Sequence, residues 1–332
     1  MTTYVEKHGG KIVNYSSDPS NLIEGEVWYN STSAVLKVFA NASSSAWATS
    51  SSMNTAKSST AGAGTQTSAL SFGGAPGAGP TGNVSSGSAE SYNGSTWTEV
   101  ANLNSPKRSN AGFGASNQSA LAFGGYRNDP AGQMDLTELW NGSNWTEVNN
   151  LNTARYGGMA SFGTTSAGIT AGGTPVTAVT ELWNGTNWTE VNDLNTARRG
   201  MGGAGISTSG LAFGGAAPSP PGQRTTEKWN GTNWTSVNDL NTGKDFIAGA
   251  GTSSTAALCI GGRSVPGGQL AETELYNGTN WAEQNDLNTA RNALAGCGAS
   301  PAALAFGGDA PGATGATESW NILTSTRTIN TN

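Results

Sequence analysis

Charged residues are scarce in this sequence: Asp, Glu, Lys and Arg make up 11% of 332 residues. There is one histidine, His8, and there are two cysteines, Cys259 and Cys297. Each shortage excludes something. A net charge of −6 and a pI near 4.9 argue against a sequence-independent nucleic-acid binder, which needs a basic face to displace counterions. One imidazole is too few for the usual zinc, copper or Ser-His-Asp sites, and His8 reads as a solvated residue outside the patterned part of the chain. Two cysteines make no disulfide framework, and both fall in strand-like runs where a small buried thiol is the simplest reading. No apolar run reaches the length of a membrane-spanning helix, so no membrane insertion is expected. The opening MTTYVEKHGGKIVNYSSD lacks the basic start and apolar core of a secretory signal.

What is present is glycine, 48 residues, and tryptophan, 11 residues. Glycine with little charge can mean disorder, but disordered chains are poor in aromatics. The tryptophans are also regularly placed. ELWNGTNWTEVNDLNTAR (181–198) recurs almost verbatim as ELWNGSNWTEVNNLNTAR (138–155), EKWNGTNWTSVNDLNTGK (227–244) and ELYNGTNWAEQNDLNTAR (274–291). Counting from Glu90, Glu138, Glu181, Glu227, Glu274 and Glu318, the units start 48, 43, 46, 47 and 44 residues apart. Self-similarity at this period is the signature of a repeat architecture.

Each unit contains four short strand candidates. In the third repeat of this phrase they are GMGGAGIS (200–207), SGLAFGG (209–215), and, from the unit before, TELWN (180–184) and NWTEV (187–191). Leu211 and Phe213 alternate onto one face, as a half-buried strand requires. Asn184-Gly185 between the last two predicts a tight primed hairpin turn, whose positive φ values Asn and Gly tolerate best. Four antiparallel strands repeated at this spacing predict β-propeller blades. The first strands are dominated by Gly and Ala, as expected of strands crowded at a central axis, and the larger Trp and Leu lie on outer strands.

The two ends of the pattern are complementary. AWATSSSMNTAK (46–57) aligns with TWTEVANLNSPK (96–107), so Trp47 begins a fourth strand with no unit before it. TESWNILTSTR (317–327) keeps a third strand but lacks the Asn-Gly turn and the second Trp. The expectation is an all-β fold: a six-bladed propeller of four-stranded antiparallel blades over 46–321, its ring closed by the N-terminal strand near Trp47. An N-terminal segment, 1–45, carries a β-hairpin, and 322–332 form a C-terminal tail.

The Gly-Gly after an apolar strand, the Glu-x-Trp/Tyr-Asn and the following Trp together resemble the kelch repeat. The uniform Asn-Gly-Thr-Asn-Trp wording is similar to kelch-like propellers of tailed-phage virion proteins. GEVWYNSTSAVLKVFANASSSAW (25–47) is similar to a short segment found in phage tail fibres and other virion proteins. The resemblance implies a non-enzymatic virion structural protein, a tail or fibre appendage engaging a host-surface glycan, or a capsid decoration. It implies residence in the virion, extracellular after host lysis. The implied partners are other virion proteins through the N-terminal segment, with multiple copies per particle, and no cofactor. A bacterial carbohydrate-binding or protein-interaction propeller is the alternative. The metal ligands of kelch-type copper oxidases and the Ser-x-Asp-x-Gly-x-Thr-Trp turns of sialidase-type propellers do not occur.

No catalytic or metal-binding residue emerges, since repetition of most carboxylates in every unit is a structural pattern. Candidate contacts fall in three groups. One basic residue stands four positions after the Leu or Met of each unit: Lys57, Lys107, Arg155, Arg198, Lys244 and Arg291. They are either structural partners of the repeated Glu or a basic ring at one channel mouth able to hold an anionic sugar. The second group, Tyr126, Arg127, Arg224 and Arg263, lies in the loops after Gly-Gly, which differ in every unit. Variable loops on a rigid scaffold are where recognition usually resides. The third, Trp28, Tyr29, Leu36 and Val38, belongs to the N-terminal hairpin and a possible attachment surface. The Asn-x-Ser/Thr triplets, Asn184 and Asn187 among them, read as turn chemistry rather than glycosylation.

Overall fold

A computed structural model describes residues 12–17, 27–77, 84–218 and 222–329. His8 and the first residues of the N-terminal segment lie outside the described residues. The chain divides into two compact units, Trp47–Asn321 and a smaller one that joins Met1–Ala46 to Ile322–Asn332. The described residues are all-β, with no helix.

The larger unit consists of four-stranded antiparallel sheets of the kind that make propeller blades. Sheet 1 spans 61–100, sheet 2 spans 111–148, sheet 3 spans 160–191, sheet 4 spans 202–237 and sheet 5 spans 248–283. Strand order in each follows the chain. Sheet 3 shows the pattern: Ala160–Thr164, Ala167–Ala171, Thr180–Trp183 and Trp188–Val191. Sheet 6 takes Ala295–Ala299, Ala302–Phe306 and the strand that starts at Thr317, and its fourth strand is the one that ends at Ser50. There Trp47 packs on Trp320 with ring centroids 5.3 Å apart, as Trp188 packs on Trp183 in sheet 3.

Two contacts repeat between consecutive sheets. The Trp that opens each fourth strand sits against the residue that ends the second strand of the sheet before. Phe72 meets Trp145 at 5.2 Å, Phe123 meets Trp188 at 4.8 Å and Phe213 meets Trp281 at 4.9 Å. Phe306 of sheet 6 meets Trp97 of sheet 1 at 5.0 Å. Offset and edge-on ring packing at these distances adds to the burial of the rings themselves. The same Trp also donates its indole N–H to the first residue of the neighbouring third strand: Trp188 to Thr137, Trp234 to Thr180, Trp281 to Thr226, Trp47 to Thr273 and Trp97 to Thr317. Sheet 1 has Ala89 at that position, and Trp145 donates instead to the Ala101 carbonyl. A buried indole N–H left unpaired costs about 1–3 kcal/mol, which is why the partner changes rather than disappears.

Side-chain size is matched across sheets. Phe113 and Phe162 occupy first-strand positions where other sheets have Ala63, Ala204, Ala250 and Cys297. The next sheet makes room: a Cβ at Gly168 would collide with the Phe113 ring, and one at Gly210 with the Phe162 ring. Ala69, Ala120, Ala257 and Ala303 stand at that place elsewhere. Cys259 and Cys297 are free and buried, and burial pushes both thiols up to about 12, so neither is a nucleophile at neutral pH.

The Asn-Gly hairpins differ from the two-residue turn that the sequence predicts. Strands end at Trp183 and restart at Trp188, so the loop has four residues. Only the glycine is left-handed, Gly185 with φ 94°. Asn184 works through its side chain: Oδ1 accepts the backbone N–H groups of Thr186 at 2.9 Å and Asn187 at 2.8 Å. Asn suits the position as a local acceptor, an Asx turn, rather than for its tolerance of positive φ.

In the smaller unit Val27–Asn30 pairs antiparallel with the start of Val35–Ser50, Tyr29 opposite Leu36 and Val27 opposite Val38. Val13–Tyr15 adds in parallel to Val27–Asn30, a strand that hydropathy gave no sign of. Trp28 is buried and Tyr29 is 37% exposed, whereas the Val38 side chain lies outside the described residues.

Candidate functional site

Antiparallel order sends the chain segments of the larger unit to two ends of the sheets. Turns between first and second strands and the Asn-Gly loops share one end. The segments entering first strands and the loops leaving second strands share the other. The first strands adjoin one another in sequence order, sheet 1 to sheet 2 and onward to sheet 6, and that of sheet 6 adjoins that of sheet 1. One cavity is lined by residues of all six, among them Gly62, Gly112, Ser161, Gly203, Gly249 and Gly296. A second cavity, at the turn end, has a volume of about 440 Å³ and a lining of Thr65, Ala115, Thr164, Ile206, Thr252 and Ala299, with no charged residue. At the loop end a small cavity of about 60 Å³ is lined by Ser59, Ser109, Gly157, Phe246 and Ala293, among others.

The loop end has two layers, one residue apart in sequence. The deeper layer holds the six repeated basic residues Lys57, Lys107, Arg155, Arg198, Lys244 and Arg291, all completely buried. Lys107 reaches Glu138 at 3.0 Å, Arg155 reaches Glu181 at 3.0 Å, Arg198 reaches Glu227 at 2.8 Å, Lys244 reaches Glu274 at 2.9 Å and Arg291 reaches Glu318 at 2.6 Å. Lys57 donates to the Ser88 carbonyl at 3.1 Å and is supported by the charge of Glu90. A basic ring at a channel mouth is therefore not what these residues form: none of the six has a surface to offer.

They act as latches. Glu227 also accepts the backbone N–H of Asn195 at 2.7 Å, and Arg198 also donates to the carbonyls of Gly214 and Thr225 at 2.7 Å each. The segment leading into sheet 4 is thus held to the third strand and to the loop behind the second. Burial draws the Arg198 guanidinium pKa down, and the Glu227 carboxylate opposes this, as a buried charge requires of its partner. Lys57, with the weaker support, is pulled down to about 8 by burial.

The outer layer is the residue after each latch: Ser58, Arg108, Tyr156, Arg199, Asp245 and Asn292. Each bridges to the residue just past the Gly-Gly pair: Ala75, Tyr126, Thr174, Ala216, Arg263 and Asp309. No two of these six pairs are alike. The next residue in every unit, Ser59, Ser109, Gly157, Gly200, Phe246 and Ala293, has φ between 50° and 78°. Four of them are not glycine, and left-handed Ser, Phe or Ala is strained. Backbone bonds hold the conformation: Ser109 N–H to Ser59 O, Gly157 to Ser109, Gly200 to Gly157, Ala293 to Phe246 and Ser59 to Ala293, at 2.8–2.9 Å. The rim is therefore rigid in backbone and variable in side chain.

Of the loop residues singled out in the sequence, Tyr126 lies in this rim beneath Arg108, whose guanidinium carbon is 5.0 Å from its ring centroid. Arg127 follows on a small hairpin, Tyr126–Asn128 with Ala131–Gln133. Arg263 is neutralised by a two-point pair with Asp245, at 2.9 and 3.0 Å. Exposed Arg224 has its Nε–H on the Leu240 carbonyl at 2.7 Å. Sequence reasoning missed Arg108, Tyr156 and Arg199. The signal was available, because the position after the latch takes five residue types in six units, but it adjoins the most repetitive phrase in the chain and reads as part of it. Among the described residues no group of three His, Cys, Asp or Glu is placed to hold a metal. Compared with known proteins, the chain matches no family model and no curated sequence.

Proposed function

We propose that the six sheets close as a six-bladed, kelch-like β-propeller that serves as a non-enzymatic structural protein of a tailed-phage virion, a tail or fibre appendage engaging a host-surface glycan. Closure is supported by the first strand of sheet 6 adjoining that of sheet 1 and by Trp47 taking, in sheet 6, the place that Trp188 has in sheet 3. The binding role is carried by one observation: a rigid rim on which all six residue pairs differ, set on a scaffold whose other contacts repeat. Recognition by varied side chains on a fixed frame is the usual division of labour in loop-bearing scaffolds. The virion assignment rests on the resemblance of the repeats and of segment 25–47, whose hairpin would attach the protein to other virion components, in several copies.

Mass spectrometry and antibody labelling of purified particles test the assignment, with the protein expected at a fixed copy number on the tail. Particles that lack it rule the virion reading out. A glycan array of host-derived sugars tests the binding role, and silence across it rules that role out.

A further inference from the structure

The rim is not evenly charged. On one side stand Arg108, Arg127 and Arg199, with Tyr126 and Tyr156 between them. On the other stand Asp245 with Arg263, Asn292 with Asp309, and Ser58 with Ala75. Among the described residues no ion pair reaches Arg108, Arg127 or Arg199, although Arg263 across the rim has one. The Nε–H of Arg108 is buried without a hydrogen-bond partner, as are those of the latches Arg155, Arg198 and Arg291, but each of those three has a carboxylate beside its guanidinium and Arg108 has none among the described residues. Arg127 is close enough to the buried Lys107 to oppose its charge. A guanidinium partly withdrawn from water with no carboxylate beside it is a costly arrangement that an anion relieves.

The aromatic groups are arranged with them. Arg108 lies over Tyr126, and the rings of Tyr126 and Tyr156 are 5.2 Å apart and tilted by 57°. Both tyrosines are half-buried. Arg108 and Tyr126 belong to sheet 2's entry and exit, and Tyr156 to sheet 3's entry, where the bonds of Gly157 to Ser109 and Ser109 to Ser59 fix the backbone beneath them. The side chains are thus presented by a frame that need not reorganise on binding, which lowers the entropic cost of association.

We infer that this arc is the binding site for a carboxylate-bearing sugar: the Arg108 guanidinium takes the carboxylate, and Tyr126 and Tyr156 pack against the apolar face of the ring. Arg prefers carboxylates because its planar fork matches their geometry. The inference rests on the glycan-binding reading and narrows it to an acidic residue on one side of the rim.

The test is calorimetric titration of the full chain with a glucuronic-acid hexasaccharide and with the same hexasaccharide after reduction of its carboxyls. Binding of the acid form is expected, with the reduced form at least tenfold weaker. Arg108→Gln is expected to weaken the acid form at least tenfold while keeping the melting temperature within a few degrees. Lys228→Gln, which removes the same charge from the third strand of sheet 4, is expected to change binding less than twofold. Equal binding of both forms, or full binding by Arg108→Gln, overturns the acidic site and leaves glycan binding standing. Silence towards both forms, with hits confined to neutral sugars on the array, does the same. Silence on the array as well overturns both.

Discussion

Arg198 and Arg199 are consecutive in the chain and have opposite surroundings. Arg198 is fully buried, with its guanidinium shared between Glu227 and two backbone carbonyls. Arg199 is half-exposed, and among the described residues it has no ion pair. The contrast extends around the loop end, where the latch layer is always Lys or Arg and the rim one residue later takes five residue types in six sheets. A latch must fit a cavity of fixed shape and a fixed carboxylate, so only Lys or Arg serves. A rim residue meets solvent on one side, and there the backbone bridge to its partner is the part that repeats, whatever the side chain.

The comparison can be broken most sharply at the latch. Arg198→Ala leaves Glu227 buried without its counter-charge, and loss of one partner of such a pair costs about 3–5 kcal/mol. A marked fall in the denaturation midpoint is expected in chemical unfolding, and a shift no larger than that of a surface mutant would show the latch to be ornamental.

The Lys57 latch gives the next effect, through pH. Its folded pKa of about 8 lies below the ordinary 10.5. Between these values the unfolded chain binds more protons than the folded one, so stability rises with pH across that window. The contribution has an upper bound on the order of 3 kcal/mol, from 1.36 kcal/mol per pKa unit. It is absent below about pH 8, where both states are protonated and the folded state carries the full cost of the buried charge. Melting curves from pH 8 to 10.5 should therefore rise less steeply for Lys57→Arg, whose guanidinium keeps its charge throughout; parallel profiles for the two proteins would contradict the assignment. The smallest effect belongs to the rim. Arg199→Ala is expected to change stability by no more than about 0.5 kcal/mol, as at other surface positions without fixed partners. A larger loss would mean that the rim, too, is structural.

Much of the fold was legible because its signals are local. Leu211 and Phe213 alternate, Asn184-Gly185 marks a hairpin, and Trp188 and its equivalents recur at the period of one sheet. Even the pairing of the chain's two ends could be read, since a fourth strand at Trp47 lacked a sheet and the sheet at Trp320 lacked a fourth strand. The site was legible only in part. Tyr126 and Arg127 stood out in a variable loop, whereas Arg108 and Tyr156 were hidden next to the repeat, and Arg263 gave no sign of its partner Asp245, 18 residues earlier.

The sequence by itself determined that this protein is built of short antiparallel strands in repeated fours, because alternation, turn chemistry and period are properties of neighbouring residues. The tertiary structure decided which charges are latches and which are free. Arg198 meets Glu227 across 29 residues and Arg199 does not, and nothing in their spacing distinguishes a buried pair from an exposed ring. That choice is made by burial: a guanidinium taken from water must find a carboxylate, while one left at the surface can wait for a ligand.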